Sequence, residues 1–484
     1  MAEKSVKANY IYNAAYQVLT LITPLITTPY LSRILEADGI GTYSFVYSVM
    51  SYFLLFAEMG ISSYGSRRIA YFKDNRAERS KVFWNLKCLS LINVCVCMTA
   101  YTIFSFMYAG DNLGIYLVTG IYIFNLVIDP VWLFSGMEEF GIVIAVSIVT
   151  RLLSIVFVFL FIKQKSDLTL HIGGIIFFII LSSTALWAYL PKYIDKPEIK
   201  SIKPFTDIKI IWILFVPGIA SQIAFSLDKI MLGVFTGSAF ENGYYEQALR
   251  ISILAMMLIS SLGTVITPRI SYLFGKQDNG QIQSYMYVSY KFIWFLGTAL
   301  CLGLFGISDN LVPWFFGKGY EKVTGLLKIS CFMIPAIGIN NTTGNQYLNS
   351  TSRESICTRT IIGGALVNFM LNILLIRKFL SYGAVIASVA AEVFIAICQF
   401  YVIRNELNVR KIILSGKNYF LSGIIMLIFL RVVNNYLSPS IIHTFMMIFA
   451  GAVIYLTILL ILRDEFFIDY SQRTLRGIAA RLNR

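Results

Sequence analysis

The segment VPGIASQIAFSLDKIMLGVFTG, residues 216–237, is apolar over a length that crosses a bilayer, yet it contains the adjacent charges Asp228 and Lys229. A charge at the centre of a spanning helix costs about 2.5–3.5 kcal/mol. Comparable segments recur along all 484 residues, of which 57% are hydrophobic and 14% are charged. Soluble domains carry about 25% charged residues. The sequence therefore predicts an integral membrane protein that keeps a few charges inside the bilayer.

Apolar runs between charged or turn-forming breaks predict an all-α protein of about 14 transmembrane helices. Helices of this number and length would occupy roughly two thirds of the chain and leave little for a soluble catalytic domain. The predicted spans are 9–31, 42–64, 86–107, 114–134, 141–162, 169–190, 210–234, 243–266, 285–306, 322–345, 356–376, 381–403, 418–437 and 441–462.

The connections between these spans alternate between the two sides of the membrane, and most of the 40 Lys and Arg residues fall on one side. The loop 65–81 and the linker 192–209 hold the largest share. Because Lys and Arg concentrate in cytoplasmic loops, both termini are predicted to be cytoplasmic. The net charge of +14 then reflects topology signals and contacts with anionic lipid, which argues against a nucleic-acid surface.

The same linker divides the spans into two sets of six, with two left over. Residues 29–45 and 225–248 begin alike: a basic residue near the outer end of one span, Arg33 or Lys229, precedes a turn and then a Gly and a Tyr. Even numbers of spans predict a parallel repeat about an axis along the membrane normal, although so short a match also arises by chance. The predicted parts are an N-terminal lobe 1–191, the cytoplasmic linker 192–209, a C-terminal lobe 210–404, and helices 13–14 with a basic tail at 405–484.

The residue types that carry most enzyme chemistry are scarce. The chain has two His and seven Cys, without a CxxC pair, so no metal site is expected. It contains no GxxxxGK[ST] phosphate-binding loop. The external connections are also too short to build the catalytic site of a membrane glycosyltransferase or polymerase. The sequence thus predicts a protein that is not an enzyme and needs no cofactor.

Asp228 and Lys229 point about 100° apart on a helix and do not pair with each other. Asp228 and Arg250, on consecutive spans, both lie roughly 10 Å below the outer surface at 1.5 Å per residue. We expect a pair between them, with Glu246, one turn before Arg250, as the competing partner. Alternatively these charges only clamp the two helices together, or Lys229 extends its ammonium to the surface.

Arg151, in SIVTRLLSIVFVFLF, lies near the middle of the fifth span and has no acid within one turn. An unpaired Arg at that depth has to face water or an anionic ligand; the alternative is a buried pair with Asp129, near the inner end of the fourth span. Glu392 is a further intramembrane acid. Glu58 lies near the cytoplasmic end of its span, where it is expected to position the basic loop that follows.

The polar run NNTTGNQYLNS, 340–350, falls at the cytoplasmic end of the tenth span and predicts the rim of a water-filled cavity. Arg151, Lys229 and Arg250 add positive charge. Together these features predict a wet, net-cationic cavity between the two sets of six helices, which suits an anionic substrate headgroup.

Several stretches also carry a family resemblance. They are NYIYNAAYQVLTLITPLITTPYLSRIL with GIGTYSF, FAEMGISSYGSRRIA, DPVWLFSGMEEF, LDKIMLG with GYYEQALRIS, and GAVIASVAAE. In this order and spacing the chain resembles the Wzx-type polysaccharide flippases, the oligosaccharide flippase (RfbX) family of the multidrug/oligosaccharidyl-lipid/polysaccharide exporter superfamily. The resemblance covers the first twelve spans and extends to the last two only by hydropathy.

The resemblance implies a fourteen-helix bundle of the bacterial cytoplasmic membrane that moves undecaprenyl-diphosphate-linked oligosaccharide units to the outer leaflet by alternating access. A polysaccharide polymerase and an initiating glycosyltransferase are the implied partner enzymes. The candidate residues for binding the substrate are Arg151, Lys229, Arg250 and Arg33. The candidates for a structural or ion-coupling role are Asp228, Glu246, Asp129, Glu392 and Glu58.

Two related functions stay open at this point. A lipid II flippase of the MurJ type has the same number of spans and the same substrate chemistry. A drug/cation antiporter of the MATE type usually has twelve spans and an acid-lined lobe, whereas the deep charges of this chain are mostly basic.

Overall fold

The protein is described by a computed structural model that covers the backbone of residues 6–468. Side chains are described for residues 18–468 except at positions 199, 216–218, 220, 221, 223–225, 261, 262, 264 and 265. Within these limits the chain is helical and contains no strand. It forms two compact units, divided between Gly243 and Tyr244.

The first unit is built from eight α-helices within the described range. They are α1 (Val6–Glu58), α2 (Ile61–Tyr71), α3 (Arg76–Tyr108), α4 (Leu113–Ile128), α5 (Val131–Gly136), α6 (Phe140–Phe161), α7 (Leu168–Trp187) and α8 (Ile208–Thr236). Helix α8 packs against α1 and α2. The boundary between the two compact units thus follows α8, and the lobes 1–191 and 210–404 stay a prediction.

The second unit begins within α9 (Ala239–Gly275). The helices that follow are α10 (Asn279–Phe292), α11 (Thr298–Phe316), α12 (Glu321–Ser330), α13 (Met333–Asn340), α14 (Glu354–Phe379), α15 (Ser381–Ile403), α16 (Val409–Ser415), α17 (Lys417–Asn434) and α18 (Ile441–Ile461). Two π-helical segments interrupt the regular pattern, Ile293–Gly297 before α11 and Asn341–Leu348 after α13.

Eleven helical segments of the described residues are long and apolar enough to cross a membrane. The first of them contains two predicted spans, because α1 breaks at Glu36, whose φ of 56° and ψ of 177° are not helical. The seventh and eighth predicted spans coincide with α8 and α9. The predicted all-α membrane fold is confirmed.

In the first unit, connections predicted to share the basic side of the membrane contact one another. Arg76, before the third predicted span, pairs with Asp195 of the linker at 2.8 Å. Lys73 pairs with Glu138, from the connection between α5 and α6, at 2.7 Å. Three predicted cytoplasmic connections therefore meet at one end of this unit, as alternating spans require.

The connections predicted to lie outside meet at the opposite end. Lys165, between α6 and α7, pairs with Glu36 at 2.8 Å and with Asp38 at 2.7 Å. These contacts hold the break in α1, where Glu36 has a backbone conformation that residues other than Gly rarely adopt. Lys165 thus links two connections that are predicted to lie outside.

The second unit separates its connections in the same way. At one end Glu406, after α15, pairs with Arg353, before α14, at 2.6 Å. At the other end Asp309 in α11 pairs with Lys328 of α12 at 2.5 Å and with Arg431 near the end of α17 at 2.9 Å. The end of the unit with Glu406 is the one predicted to face the cytoplasm.

Two short segments of the first unit approach each other without intervening side chains. A Cβ placed on Gly41 would lie 1.8 Å from the carbonyl oxygen of Ala239, and a Cβ placed on Gly243 would lie 1.8 Å from that of Ala37. Each glycine thus meets the carbonyl four residues before the other. The reciprocal contact joins the two sequence stretches that begin alike, 29–45 and 225–248.

Candidate functional site

Arg151 lies half-buried in α6, within an apolar membrane span. Its Nη1 donates a hydrogen bond to Oγ1 of Thr20 in α1 at 3.0 Å. Arg151 makes no ion pair with any carboxylate of the described residues. A guanidinium has five N–H donors, so one hydroxyl leaves most of its hydrogen-bonding capacity and its whole charge for water or an anion.

The part of α1 that Arg151 contacts is polar. Thr20, Thr23 and Thr27 follow one another at helical spacing, and the hydroxyls of Thr23 and Thr27 donate to the backbone oxygens of Leu19 and Thr23 at 2.6 and 2.9 Å. Pro24 has no N–H to offer to the carbonyl of Thr20. This turn of α1 is therefore polar in its backbone as well as in its side chains.

Asp129 does not pair with Arg151. Its Oδ1 accepts a hydrogen bond from the backbone N–H of Val131 at 2.9 Å and so begins α5. The nearby cation is Lys87 of α3, whose Nζ donates to the carbonyls of Val127 and Asp129 at 2.9 and 2.6 Å. Lys87 is only 6% exposed and was not among the predicted site residues. It neutralises the end of α4, where the helix dipole is negative.

Asp228 is buried in α8, 4% exposed, within electrostatic range of Tyr52 in α1. Two turns before it on α8, Gln222 donates from Nε2 to Ser51 and to Ser226 at 2.7 Å each. Sequence reasoning did not identify Gln222 or Ser51. These polar contacts join α1 to α8 inside the first unit.

Arg250 donates from Nη2 to Oε1 of Glu246 at 3.0 Å, one turn earlier on α9. The competing partner named from the sequence therefore holds at least one of its donors, and the pair between Asp228 and Arg250 stays a prediction. Lys229 is half-buried and Arg33 is exposed. Their role in binding substrate likewise stays a prediction.

The remaining predicted acids contact backbone and amide groups. Glu58 ends α1 and accepts a hydrogen bond from the N–H of Ser62 at 3.3 Å, near the start of the basic helix α2. Glu392 in α15 accepts hydrogen bonds from Nδ2 of Asn340 at its side chain, 2.7 Å, and at its backbone oxygen, 3.0 Å. Glu392 thus adjoins the polar run 340–350.

Residues 341–348 of that run form the π-helical segment Asn341–Leu348. Asn341 and Asn345, in this segment, and Asn349, which follows it, form an amide ladder. Nδ2 of Asn345 donates to Oδ1 of Asn341 at 2.9 Å, and Nδ2 of Asn349 donates to Oδ1 of Asn345 at 3.1 Å. Nδ2 of Asn341 donates to Oγ of Ser260 in α9 at 3.4 Å. Asn345, the last residue of the tenth predicted span, is exposed.

The described residues contain no cluster of three or more His, Cys, Asp or Glu side chains able to hold a metal ion. The polar groups inside the spans of the described residues include cations, carboxylates, hydroxyls and amides. This set can bind an anion and neutral polar groups without forming or breaking a covalent bond.

The fold, with polar and cationic groups inside membrane spans, is that of a multi-pass transporter. A solved structure of the lipid II flippase MurJ, in an inward closed conformation, superimposes with a TM-score of 0.74 at 16% identity over 94% of this chain and 99% of that chain. An inward-facing multidrug resistance MATE family transporter of the MOP superfamily gives a TM-score of 0.58 at 15% identity, over 82% of this chain and 99% of that chain. These similarities establish the fold that the chain shares with both proteins.

The chain belongs to the family of polysaccharide biosynthesis proteins, whose model matches residues 6–274. A relative from Escherichia coli (strain K12), provisionally named O-antigen transporter, is 25% identical over 415 residues, which are 83% of this chain and 97% of the relative. The resemblance to Wzx-type polysaccharide flippases that the sequence motifs carry is confirmed.

Proposed function

We propose that this protein moves undecaprenyl-diphosphate-linked oligosaccharide units from the inner to the outer leaflet of the cytoplasmic membrane for the synthesis of a surface polysaccharide. The family and the relative provisionally named O-antigen transporter support this class of substrate. The observation that carries the proposal is Arg151, a half-buried cation in the middle of a span that makes no ion pair with a described carboxylate.

A lipid-linked diphosphate supplies the negative charge and the acceptor oxygens that the Arg151 guanidinium can bind. The headgroup is anionic and has several acceptor oxygens, and a guanidinium can donate two parallel hydrogen bonds to such a group. The lipid tail stays in the bilayer, so only the polar part has to cross a hydrated path. In this proposal the path is cationic and opens alternately to each side; Lys229 and Arg33 add positive charge in the first unit, and Arg250 adds it in the second.

The proposed activity is transport, and no covalent bond of the substrate breaks. Enzymes on either side of the membrane step are then required by the chemistry. An initiating glycosyltransferase supplies the lipid-linked unit on the cytoplasmic side, and a polymerase consumes it outside. Both are proposed partners of the pathway and not of a defined surface of this chain.

Orientation follows from the same proposal, with the basic end of each unit in the cytoplasm. Single cysteines placed in 192–209 or after Arg463 should react with a membrane-impermeant maleimide only after the cells are opened. Cysteines in 108–113 or 308–320 should react in intact cells. Labelling of 192–209 in intact cells would contradict the orientation and the number of spans in the first half.

The function itself is tested by deleting the gene and analysing the lipid fraction by mass spectrometry. We expect lipid-linked repeat units to accumulate on the cytoplasmic side and surface polysaccharide to disappear, with both effects reversed by the intact gene. Accumulation of lipid II instead would assign the protein to the lipid II flippases. Drug sensitivity without any lipid-linked intermediate would favour an antiporter and end the proposal.

A further inference from the structure

The amide ladder of Asn341, Asn345 and Asn349 is not accounted for by binding of the diphosphate. The three side chains are neutral, and the segment that carries them lies in the span Glu321–Thr351. Asn345 is exposed, and Asn341 and Asn349 are half-buried. An amide exposed to hydrocarbon would lose its hydrogen bonds with water at a cost of several kcal/mol. The exposed face of the ladder therefore borders water and not lipid tails.

The ladder has hydrogen-bonding capacity to spare. Each amide has two N–H donors and an oxygen with two lone pairs. The contacts described above use one N–H of each residue. Among the described polar atoms, Oδ1 of Asn349 is buried without a hydrogen-bond partner. A row of donors and acceptors in alternation, without charge, matches sugar hydroxyls, each of which both donates and accepts.

The backbone of the ladder is unusual as well. Residues 341–348 are π-helical, and π-helical turns inside α-helices occur frequently at functional sites. Two small residues of α9 adjoin this segment: Oγ of Ser260 accepts a hydrogen bond from Nδ2 of Asn341, and a Cβ on Gly263 would lie 3.4 Å from Nε2 of Gln346. Asn345 stays exposed.

A second pair of asparagines shows what the same contact looks like when it serves packing. In α14, Nδ2 of Asn372 donates to Oδ1 of Asn368 at 3.0 Å, again with a spacing of four residues. These side chains are 0% and 6% exposed. The chain thus contains a buried amide pair and an exposed amide ladder of the same local geometry.

We propose that the amide ladder is a subsite for the glycan of the lipid-linked substrate, at which Asn341, Asn345 and Asn349 exchange hydrogen bonds with sugar hydroxyls. This inference rests on the proposed function and adds to it that the glycan has contacts of its own, separate from the contacts of the diphosphate. The subsite selects for a hydroxyl-rich, uncharged face of the sugar.

The test compares two probes on the purified full-length protein by native mass spectrometry. One probe is undecaprenyl diphosphate without sugar, and the other is the lipid-linked material extracted from the deletion strain. The intact protein should bind the second probe more tightly. The variant N341A/N345A should bind the sugar-free probe as the intact protein does and should lose at least about fivefold of the preference, since one hydrogen bond contributes about that factor.

The control is N372A, which removes the buried amide contact. It should lower the thermal midpoint and leave the preference of the folded protein unchanged. If N341A/N345A does not accumulate, N345A alone, at the exposed position, gives the same comparison. An unchanged preference, or an equal loss for both probes, would overturn the subsite. Absence of lipid-linked material in the deletion strain would instead overturn the proposed function, so the two failures are distinguishable.

Discussion

Two arginines of the first unit, Arg79 and Arg151, are held in opposite ways. Arg79 is 6% exposed and donates to the carbonyl of Tyr193 from Nε at 2.9 Å and from Nη2 at 2.5 Å, and to the carbonyl of Lys73 from Nη1. Arg151 has a single hydroxyl, that of Thr20, as its described partner. The first arginine uses its donors to hold the linker, whereas the second keeps them available.

Inside a membrane protein, a structural charge differs from a functional one in how many of its donors are already bonded. Burial alone would rank Arg79 first, because it is the more enclosed. Arg151 ranks first when the criterion is the number of N–H donors still without a described partner. It also ranks first by depth in the membrane, since Arg79 lies at the end of the unit where the linker supplies carbonyls. A charge that is both deep and incompletely hydrogen-bonded requires a ligand or water to justify its cost.

The largest expected effect is on Arg151→Ala. Export of surface polysaccharide should fall by at least about tenfold, because hydrogen bonds to charged groups contribute about 1.5–3 kcal/mol, while the amount of protein in the membrane stays normal. Arg151→Lys should restore part of the export, since an ammonium keeps the charge but not the two-pronged geometry. Quantitative immunoblots beside polysaccharide assays check both. Normal export by Arg151→Ala would show that transport does not need the charge of Arg151.

Arg79→Ala should lower the stability of the folded protein and should not change the binding of substrate. Two carbonyls in a buried place lose their donors, and each unsatisfied buried group costs about 1–3 kcal/mol. We expect less protein in the membrane and a lower thermal midpoint in detergent, with export reduced in proportion to the protein that remains. A variant that is abundant and stable but inactive would show that Arg79, too, serves transport.

Lys87→Met extends the comparison of Arg79 and Arg151 to a third cation inside the protein. The substitution keeps the apolar stem against Phe83 and Trp132, over whose rings the ammonium lies at 5.7 and 5.8 Å, and removes the donors to the end of α4. The free energy of unfolding should fall by about 1–2 kcal/mol, which is less than for Arg79→Ala because fewer hydrogen-bond donors are removed. Thermal midpoints of the two variants, measured side by side, check the order. A larger loss for Lys87→Met would reverse it.

The smallest effect is expected at Glu406, which is partly exposed. Burial raises the pKa of Glu406, but hydrogen bonds from Arg353 and Tyr347 and the charge of Arg353 outweigh it and hold the pKa below its ordinary value of 4.5. A lowered folded pKa contributes stability that is present above pH 4.5 and is lost as the pH falls through the folded pKa.

The thermal midpoint of the intact protein should therefore decline more steeply than that of Glu406→Gln as the pH is lowered below 4.5. At neutral pH the variant should be slightly less stable, because the neutral amide pairs less well with Arg353. Parallel pH profiles for the two proteins would show that the charge of Glu406 adds nothing to this end of the second unit.

Hydropathy was sufficient to predict the fold because each span is a continuous apolar segment. The break in α1 at Glu36 also falls between the first two predicted spans, since Glu36 and Asp38 interrupt the apolar run. The π-helical segment after α13 was not predicted. A π-helical turn changes the hydrogen-bonding partner along the backbone but leaves the composition of the span unchanged.

The sequence could identify Arg151 as exceptional because its surroundings along the chain are apolar, and depth follows from span limits. It could not show that Lys87 and Arg79 are buried, because their acceptors are backbone carbonyls. Those of Lys87 lie about forty residues further on, and Tyr193 is more than a hundred residues from Arg79. Backbone carbonyls exist at every position, so no residue type signals them. Gln222 was not predicted for a related reason. Its partner Ser51 is a serine, and serines are common in membrane spans.

The contact between Gly41 and Gly243 has a consequence for how this sequence can change over generations. An enlarged side chain in a protein core is often accommodated when the residue opposite it becomes smaller. Here each glycine faces a backbone carbonyl, that of Ala239 or Ala37, and a backbone cannot be shortened by any substitution. A compensating change would therefore have to move one of the two backbones apart from the other, which no trimming of a side chain achieves.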